Sequence, residues 1–403
     1  MVTRSRFAPL VDRLRAVVTR DPSVVSCYLR LDEPARRDRR YLLDIKSRVR
    51  DLSAETTGLH VPRAVRLELE ADLARLLEWV ERPDALPHAP GVALFLCAAR
   101  DLFEVIPLGR VHRTRVDIDR RPLLHELIGA REALGRYIAV VADRAHARFF
   151  DVVATDASEL PGLPALTHRG GKFGYDRGDA PGRGERPYHH RIDEVAHRFY
   201  ERIAAEVTRI DARASYQGVA LLGPAEHTAG LRAFLPRPLA DKLVGEAPLN
   251  PTCATEDQVH SAVWTLQAGL EHRSALTLVQ AMEEGIGTGY GVNGARETLR
   301  ALADGQLRVL LVPAGQRGAG FRCSASGRLV LAKSECRGEG SAEPVPNLVD
   351  WAIDAALGRG AEVVVVGDPE LGRRIDGLGG TLRFTLQSAA ARRRPSSAAV
   401  PVQ

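Results

Sequence analysis

Apolar residues recur along this chain in blocks whose spacing alternates between helical and strand-like. Phe7 to Thr19 predicts a short helix, and Val24 to Leu31 (VVSCYLRL) predicts a strand that runs into a charged stretch. Arg39 to Ser53 predicts a helix. A longer one is predicted over Pro62 to Glu81, with Val65, Leu69, Leu73, Leu76, Leu77 and Val80 along one face and Pro62 at its start. The apolar runs GVALFLCAA and LFEVIPL, parted by Arg100-Asp101, predict a β-hairpin. These elements make an α/β block that ends near residue 130.

A second block opens with YIAVVA, the polar turn Asp143-Arg144-Ala145-His146 and ARFFDVV, which again predicts a hairpin. A helix follows from Pro187 to Ile210, with Ile192, Val195, Phe199, Ile203, Val207 and Ile210 on one stripe. GVALLG (218–223) predicts a strand, with a helical turn and a short strand near Lys242 to Val244 after it. Thr255, with Gln258 three residues on, fits a capping box at the start of a further helix. A third block alternates a helix to Gly285, a glycine-rich turn, a helix from Asn293 to Ala303, the strand LRVLLVP and an irregular region. It closes with a helix at Leu348 to Leu357, the strand AEVVVVG and a strand at Thr381 to Phe384. Such alternation predicts a three-layer α/β/α domain with a partly parallel sheet. The predicted organisation is α/β with three domains, 1–130, 131–272 and 273–386, and a small, basic, proline-containing tail, 387–403, expected to be disordered.

The chain has 403 residues, enough for several cores, and 56 basic against 51 acidic residues give a net charge of +5. That bias permits nucleic acid as a partner without requiring it. The bias has a focus, THRGGKFGYDRGDAPGRGERPYHH, from Thr167 to His190. Arg169, Lys172, Arg177, Arg183, Arg186 and, just beyond, Arg191 stand there among three acidic residues. Gly170 and Gly171 permit close backbone approach. Phe173 and Tyr175 are available to stack on bases. A loop of this length is functional or a disordered surface insertion.

Five scattered cysteines, Cys27, Cys97, Cys253, Cys323 and Cys336, do not form a disulfide framework, and a reducing cytoplasm is the expected setting. The first residues have no apolar core of signal-peptide type, and no run of about 18 apolar residues suggests a membrane span. Cys323 and Cys336 lack Cys-x-x-Cys partners, since Ser326 and Glu339 stand in those places, so a zinc site is not expected. GIGTGYG (285–291) reads as a helix-ending glycine, a turn and a capping Asn293, because a nucleotide-binding loop would need a strand before it. His146, His189 and His190 are candidates for acid–base work, but no assembled hydrolase motif is present.

The order of these parts resembles the bacterial branch of the archaeo-eukaryotic class-one release factor family, over roughly residues 20–386. GYGVNGARETLRALADGQLRVLLVP, NLVDWAIDAALGRGAEVVVVG and GLGGTLRF are similar to that family's C-terminal domain, and YIAVVADRAHARFFDV with the basic loop and long helix to its central domain. Relatives include peptidyl-tRNA hydrolases of ribosome quality control and the hibernation factor Balon. The resemblance implies a ribosome partner, with rRNA of the A site and the peptidyl transferase centre in contact with Arg169 to Arg191. A translational GTPase is implied as a further partner, with no cofactor and no membrane. In many relatives the irregular region is a four-cysteine ribbon; Cys323 and Cys336 match two of its positions, so the metal is expected to be lost. Release factors carry Gly-Gly-Gln in the loop, whereas Gly170-Gly171-Lys172 stands here and no glutamine occurs between Thr167 and His190. The expectation is A-site binding in hibernation or rescue with little hydrolysis. The alternative is a peptidyl-tRNA hydrolase that uses Lys172, His189 or His190. Asp44-Ile45-Lys46-Ser47 is similar to the stop-codon motif Asn-Ile-Lys-Ser, but it falls inside a predicted helix and is read as coincidence.

Overall fold

Strict alternation in the strand Val24–Arg30 (β1) sends Val25, Cys27 and Leu29 to one face, where two helices cover them. The computed structural model describes residues 4–385 except 32, 59–61, 88, 110, 112–113, 131–134, 154–155, 164–184 and 215. The predicted tail 387–403 therefore lies outside the described residues. Contacts divide the chain into two units, one formed by Arg6–Ala133 together with the residues from His272 on, the other by Leu134–Glu271.

The first part of the first unit runs α1 (Arg4–Ala16), β1, α2 (Glu33–Asp38), α3 (Arg40–Gly58), α4 (Arg63–Glu81), β2 (Gly91–Cys97), β3 (Leu102–Leu108), β4 (Arg115–Asp119) and α5 (His125–Gly129). Its strands form an antiparallel sheet in the order β3-β2-β1-β4. Tyr41, Ile45 and Val49 of α3 and Leu69, Leu73 and Leu76 of α4 pack on one face of that sheet. Ile45 is fully buried inside α3, so Asp44 to Ser47 forms no turn. The β2–β3 hairpin turns through Asp101 at φ 47°, a left-handed position that Asp tolerates. On the opposite face Tyr28 meets Phe95 edge-on at 5.9 Å, and its hydroxyl donates to the Leu123 carbonyl at 2.5 Å.

The second unit contains β5 (Tyr137–Ala142), β6 (Ala147–Val153), β7 (Asp156–Leu160), α6 (Glu185–Arg213), β8 (Gly218–Leu222), α7 (Ala225–Arg232), α8 (Arg237–Ala240), β9 (Leu243–Ala247) and the start of α9 (Glu256–Thr288). Its sheet has the order β7-β6-β5-β8-β9, with β5, β8 and β9 parallel. Phe199, Ile203, Val207 and Ile210 of α6, with Leu231, Leu235 and Leu239, cover one face. Val259 and Val263 of α9 cover the other, over Tyr137, Ala139 and Phe150.

The rest of the first unit follows the later part of α9: β10 (Gly291–Asn293), α10 (Ala295–Ala303), β11 (Leu307–Pro313), β12 (Gly320–Cys323), β13 (Leu329–Val330), β14 (Ala342–Val345), α11 (Leu348–Gly358), β15 (Glu362–Val366), α12 (Pro369–Arg373) and β16 (Gly379–Leu382). The larger sheet has the order β10-β16-β11-β15, with β11 and β15 parallel. Ala275, Val279 and Met282 of α9 and Leu371 of α12 pack on Val309 and Leu311, while Leu310 and Val312 are buried on the opposite face. The glycine run departs from expectation. α9 continues through Gly285 to Thr288, and the following residues enter the sheet as β10. Gly294, at φ 114°, precedes α10, while the Asn293 side chain bonds the Arg374 carbonyl and the Asp376 N–H instead of capping that helix. Pairing of β10 with β16 overrides the local capping preference.

A polar face of α11 joins the two parts of this unit. Asp350 accepts the His125 N–H at 2.9 Å and an Arg115 N–H at 3.3 Å. Asp119 accepts from Asn347 at 2.9 Å and from the Trp351 indole at 3.2 Å. Asp354 accepts from Arg15 at 2.8 Å and pairs with Arg121, whose guanidinium lies 4.0 Å over the Trp351 ring.

Candidate functional site

Of the basic segment Thr167 to His190, residues 185–190 belong to α6 and the rest lie outside the described residues, so its place is read from the described elements on either side. Register pairs Leu160 with Phe149 and Phe149 with Val140, so β7 ends level with the carboxyl end of β5. On the return, Tyr200 of α6 meets His227 of α7, which directly follows β8. Both flanks therefore lie at the carboxyl ends of parallel strands, the usual place for a site in an open α/β sheet. With 29 residues α6 is about 43 Å long, whereas a five-residue strand spans about 17 Å, so the helix outruns the sheet. Arg169, Gly170, Gly171, Lys172, Arg177 and Arg183 lie outside the described residues. Arg186, His189, His190 and Arg191 fall in the first turns of α6, and their side chains lie outside the described residues too.

The rim itself carries groups that local patterns do not single out. Tyr200 and His227 Nδ1 are 2.9 Å apart, and His227 Nε2 lies 3.4 Å from Glu226. Burial, with Glu226 and Asp143 nearby, raises the Tyr200 phenol above its ordinary value, and its hydroxyl shares a hydrogen bond with the imidazole. Gly223 directly follows β8 where a Cβ would run into the Ala142 carbonyl oxygen, so only glycine fits there. Thr228 donates to Glu246 at 2.8 Å, and Arg232 pairs with the same carboxylate at 3.2 Å. A groove of about 630 Å³ beside the rim is lined by His146, Arg148, Leu163, Thr252 and Cys253 among others. Leu163 is the last residue described before the loop. Arg148 is clamped by Glu159 at 2.6 and 2.7 Å and donates to the Ala254 carbonyl at 2.8 Å, which fixes the Pro251–Ala254 wall.

In the β5–β6 turn Asp143 accepts the N–H groups of Ala145 and His146, both at 2.7 Å, and its other oxygen lies 3.2 Å from His146 Nδ1. Burial pushes this carboxyl up, but those three hydrogen bonds outweigh it and hold the value below 3.8. The folded value is thus lower than the unfolded one. The carboxylate contributes stability above about pH 3.8, and that contribution is lost as pH falls through the folded value. Asp143→Asn is expected to cost about 1 kcal/mol at pH 7 in urea unfolding. The difference from wild type should narrow as pH falls from 7 past 3.8, whereas a constant difference down to about pH 2 would contradict it.

Charge divides this unit sharply. Residues 167–190 hold five Lys and Arg against three Asp and Glu, while the rest of 134–271 holds eleven against fifteen. Within this unit the basic excess therefore lies in residues 167–190 alone.

The cysteines require a correction. Cys323 and Cys336 are bonded to each other, with Cα atoms 5.3 Å apart, although no pairing was expected from a scattered set. Their two neighbours in the expected ribbon pair as well: Ser326 donates to Glu339 at 2.5 Å, and Arg328 bonds the same carboxylate at 2.7 Å. Cys27 and Cys97 are buried thiols, and Cys253 is exposed. Among the described residues, no group of three or more His, Cys, Asp or Glu is placed to hold a metal ion, and no helix is long and apolar enough to cross a membrane.

Residues 122–268 match the family model of bacterial archaeo-eukaryotic release factor family 10. No curated protein matches the chain. Among solved structures, the archaeal translation termination factor aRF1 is 18% identical with a TM-score of 0.25, covering 95% of this chain and 99% of its own. Archaeoglobus fulgidus Pelota is 15% identical, with a TM-score of 0.35 and coverage of 73% and 80%. S. cerevisiae Dom34, a translation termination-like factor involved in RNA quality control pathways and interacting with Hbs1, is 10% identical, with a TM-score of 0.39 and coverage of 72% and 76%.

Proposed function

We propose, from the premise that this is a release-factor-like chain with its family match over residues 122–268, that it is a ribosome-binding translation factor. It enters the A site in a tRNA-like manner and acts in hibernation or rescue without efficient ester hydrolysis. The observation that carries this reading is the matched unit's loop, basic on an acidic body, with Gly170-Gly171-Lys172 where release factors have Gly-Gly-Gln. A glutamine amide offers both a donor and an acceptor to water and the ester, whereas a lysine ammonium offers donors alone. The partners are rRNA of the A site and peptidyl transferase centre for Arg169 to Arg191, and a translational GTPase for the residues after His272.

One observation favours a second reading, a peptidyl-tRNA hydrolase. His146, at the root of the loop, has Nδ1 held by an ionised carboxylate, the arrangement that leaves Nε2 free to take a proton from water. In that reading Lys172, His189 and His190 assist. Ribosomes loaded with labelled peptidyl-tRNA separate the two. The chain is expected to co-sediment with 70S ribosomes at low salt while peptide release stays near the spontaneous rate. Rapid release that His146→Ala abolishes would replace the first reading with the second. Failure to co-sediment at low salt would remove both.

A further inference from the structure

The small sheet β13-β12-β14 has almost no core of its own. Cys323, Val330 and Cys336, with Phe321 and Ala342 against them, form its own apolar cluster, and Leu329 and Val345 are the other buried apolar side chains of its strands. By comparison, seventeen buried residues form the cluster under α3 and α4. So small a cluster cannot offset the chain entropy of ordering the segment, and segments in that position depend on cross-links. The polar ties here, Glu339 to Arg328 and Ser326, stand at the surface, where ion pairs contribute little. The covalent tie is the bond between Cys323 and Cys336, thirteen residues apart, which closes the β12–β13 hairpin against the turn Lys333–Cys336.

We propose that Cys323 and Cys336 form a reversible redox clasp, a thiol–disulfide site that sets how firmly this sheet is held. Reduction by a dithiol passes two electrons and two protons to the sulfur pair. The S–S bond breaks, two thiols form, and the reductant closes to its own disulfide. Diamide reverses the step by accepting two electrons and two protons to become its hydrazine. The thiols are small enough to stay in the cluster as apolar groups, so the fold persists while the loop-closure constraint disappears. The effect reaches further than the sheet. β13 contacts α10 and α11. Arg296 of α10 pairs with Glu335 at 3.4 Å, and Glu343 of β14 pairs with Arg120 at 3.6 Å. Loosening the clasp therefore weakens support for the α11 junction. This inference is independent of the proposed function.

The test uses the full chain with Cys253→Ser, which removes the exposed thiol and leaves four cysteines. After unfolding, a maleimide should label four thiols in dithiothreitol-treated protein and two in diamide-treated protein. The oxidised form should melt roughly 5–10 °C higher, and hydrogen exchange should rise on reduction chiefly within residues 320–345. Adding Cys323→Ala and Cys336→Ala should give two labelled thiols and one melting temperature under both treatments. Four labelled thiols after diamide, or equal melting temperatures for the oxidised and reduced forms, would overturn the proposal.

Discussion

Arg115→Ala is expected to destabilise the unit that contains it by about 3–5 kcal/mol, the range found when one partner of a buried ion pair is removed. Only 3% of the Arg115 side chain is exposed, and the carboxylates it serves, Asp117 and Asp350, are 10% and 4% exposed. Burial pulls the guanidinium value down, but Asp350 and Asp117 more than offset it and raise the value, so the group is charged at every working pH. Without it Asp350 keeps the His125 N–H but loses its cation. Asp119, in the same junction, illustrates the consequence for a carboxyl held there without a cation. Burial raises its value despite hydrogen bonds from Asn347, the Arg120 N–H and Trp351. A carboxyl raised in the folded state costs stability as pH rises from 3.8 through the folded value. The Arg115→Ala deficit should therefore shrink on acidification from about pH 7. Urea unfolding followed by tryptophan fluorescence measures it, since Trp351 sits at the junction. A loss under about 1 kcal/mol, or one that grows on acidification, would mean the junction is not held by these charges.

The triple change Arg177→Ala, Arg183→Ala and Arg186→Ala is expected to weaken ribosome binding at least about tenfold near physiological salt. It should also lower the slope of log affinity against log salt by roughly two, as for three lost contacts to single-stranded phosphates. The acidic remainder of residues 134–271 makes this a stringent expectation, because no basic excess elsewhere in the unit can substitute. Sedimentation at several salt concentrations reads both quantities. An unchanged slope would remove the loop as an RNA contact. A weakened affinity with an unchanged slope would point to lost folding or shape, and a circular dichroism melt of the variant distinguishes those.

Regular, strongly apolar elements were legible in the sequence. The β5–β6 hairpin, with its Asp143–His146 turn, the stripe of α4 and the described part of the α6 stripe each follow from local periodicity. Elements whose reason is distant were not. β4 is RVDID, polar in sequence, and its Asp117 and Asp119 are buried because groups 200 or more residues away meet that sheet. β7 is DASEL, an edge strand with acidic side chains and little apolar signal. The rim followed the same divide. Asp143–His146 is three residues apart and visible as a turn, whereas Tyr200 and His227 come together only when α6 and α7 pack on one face. Thirteen residues between Cys323 and Cys336 fix nothing about pairing until the turn Lys333–Cys336 folds back on β12.

The central claim is that this chain binds in the ribosomal A site with its basic loop directed inward. A density map of the full chain on 70S ribosomes at low salt tests it most directly. The expected result is density for the chain in the A site, with residues 167–190 ordered against rRNA of the peptidyl transferase centre and Lys172 where a release factor's glutamine would stand. Density at another ribosomal surface, or an A site left empty at saturating protein, would contradict it.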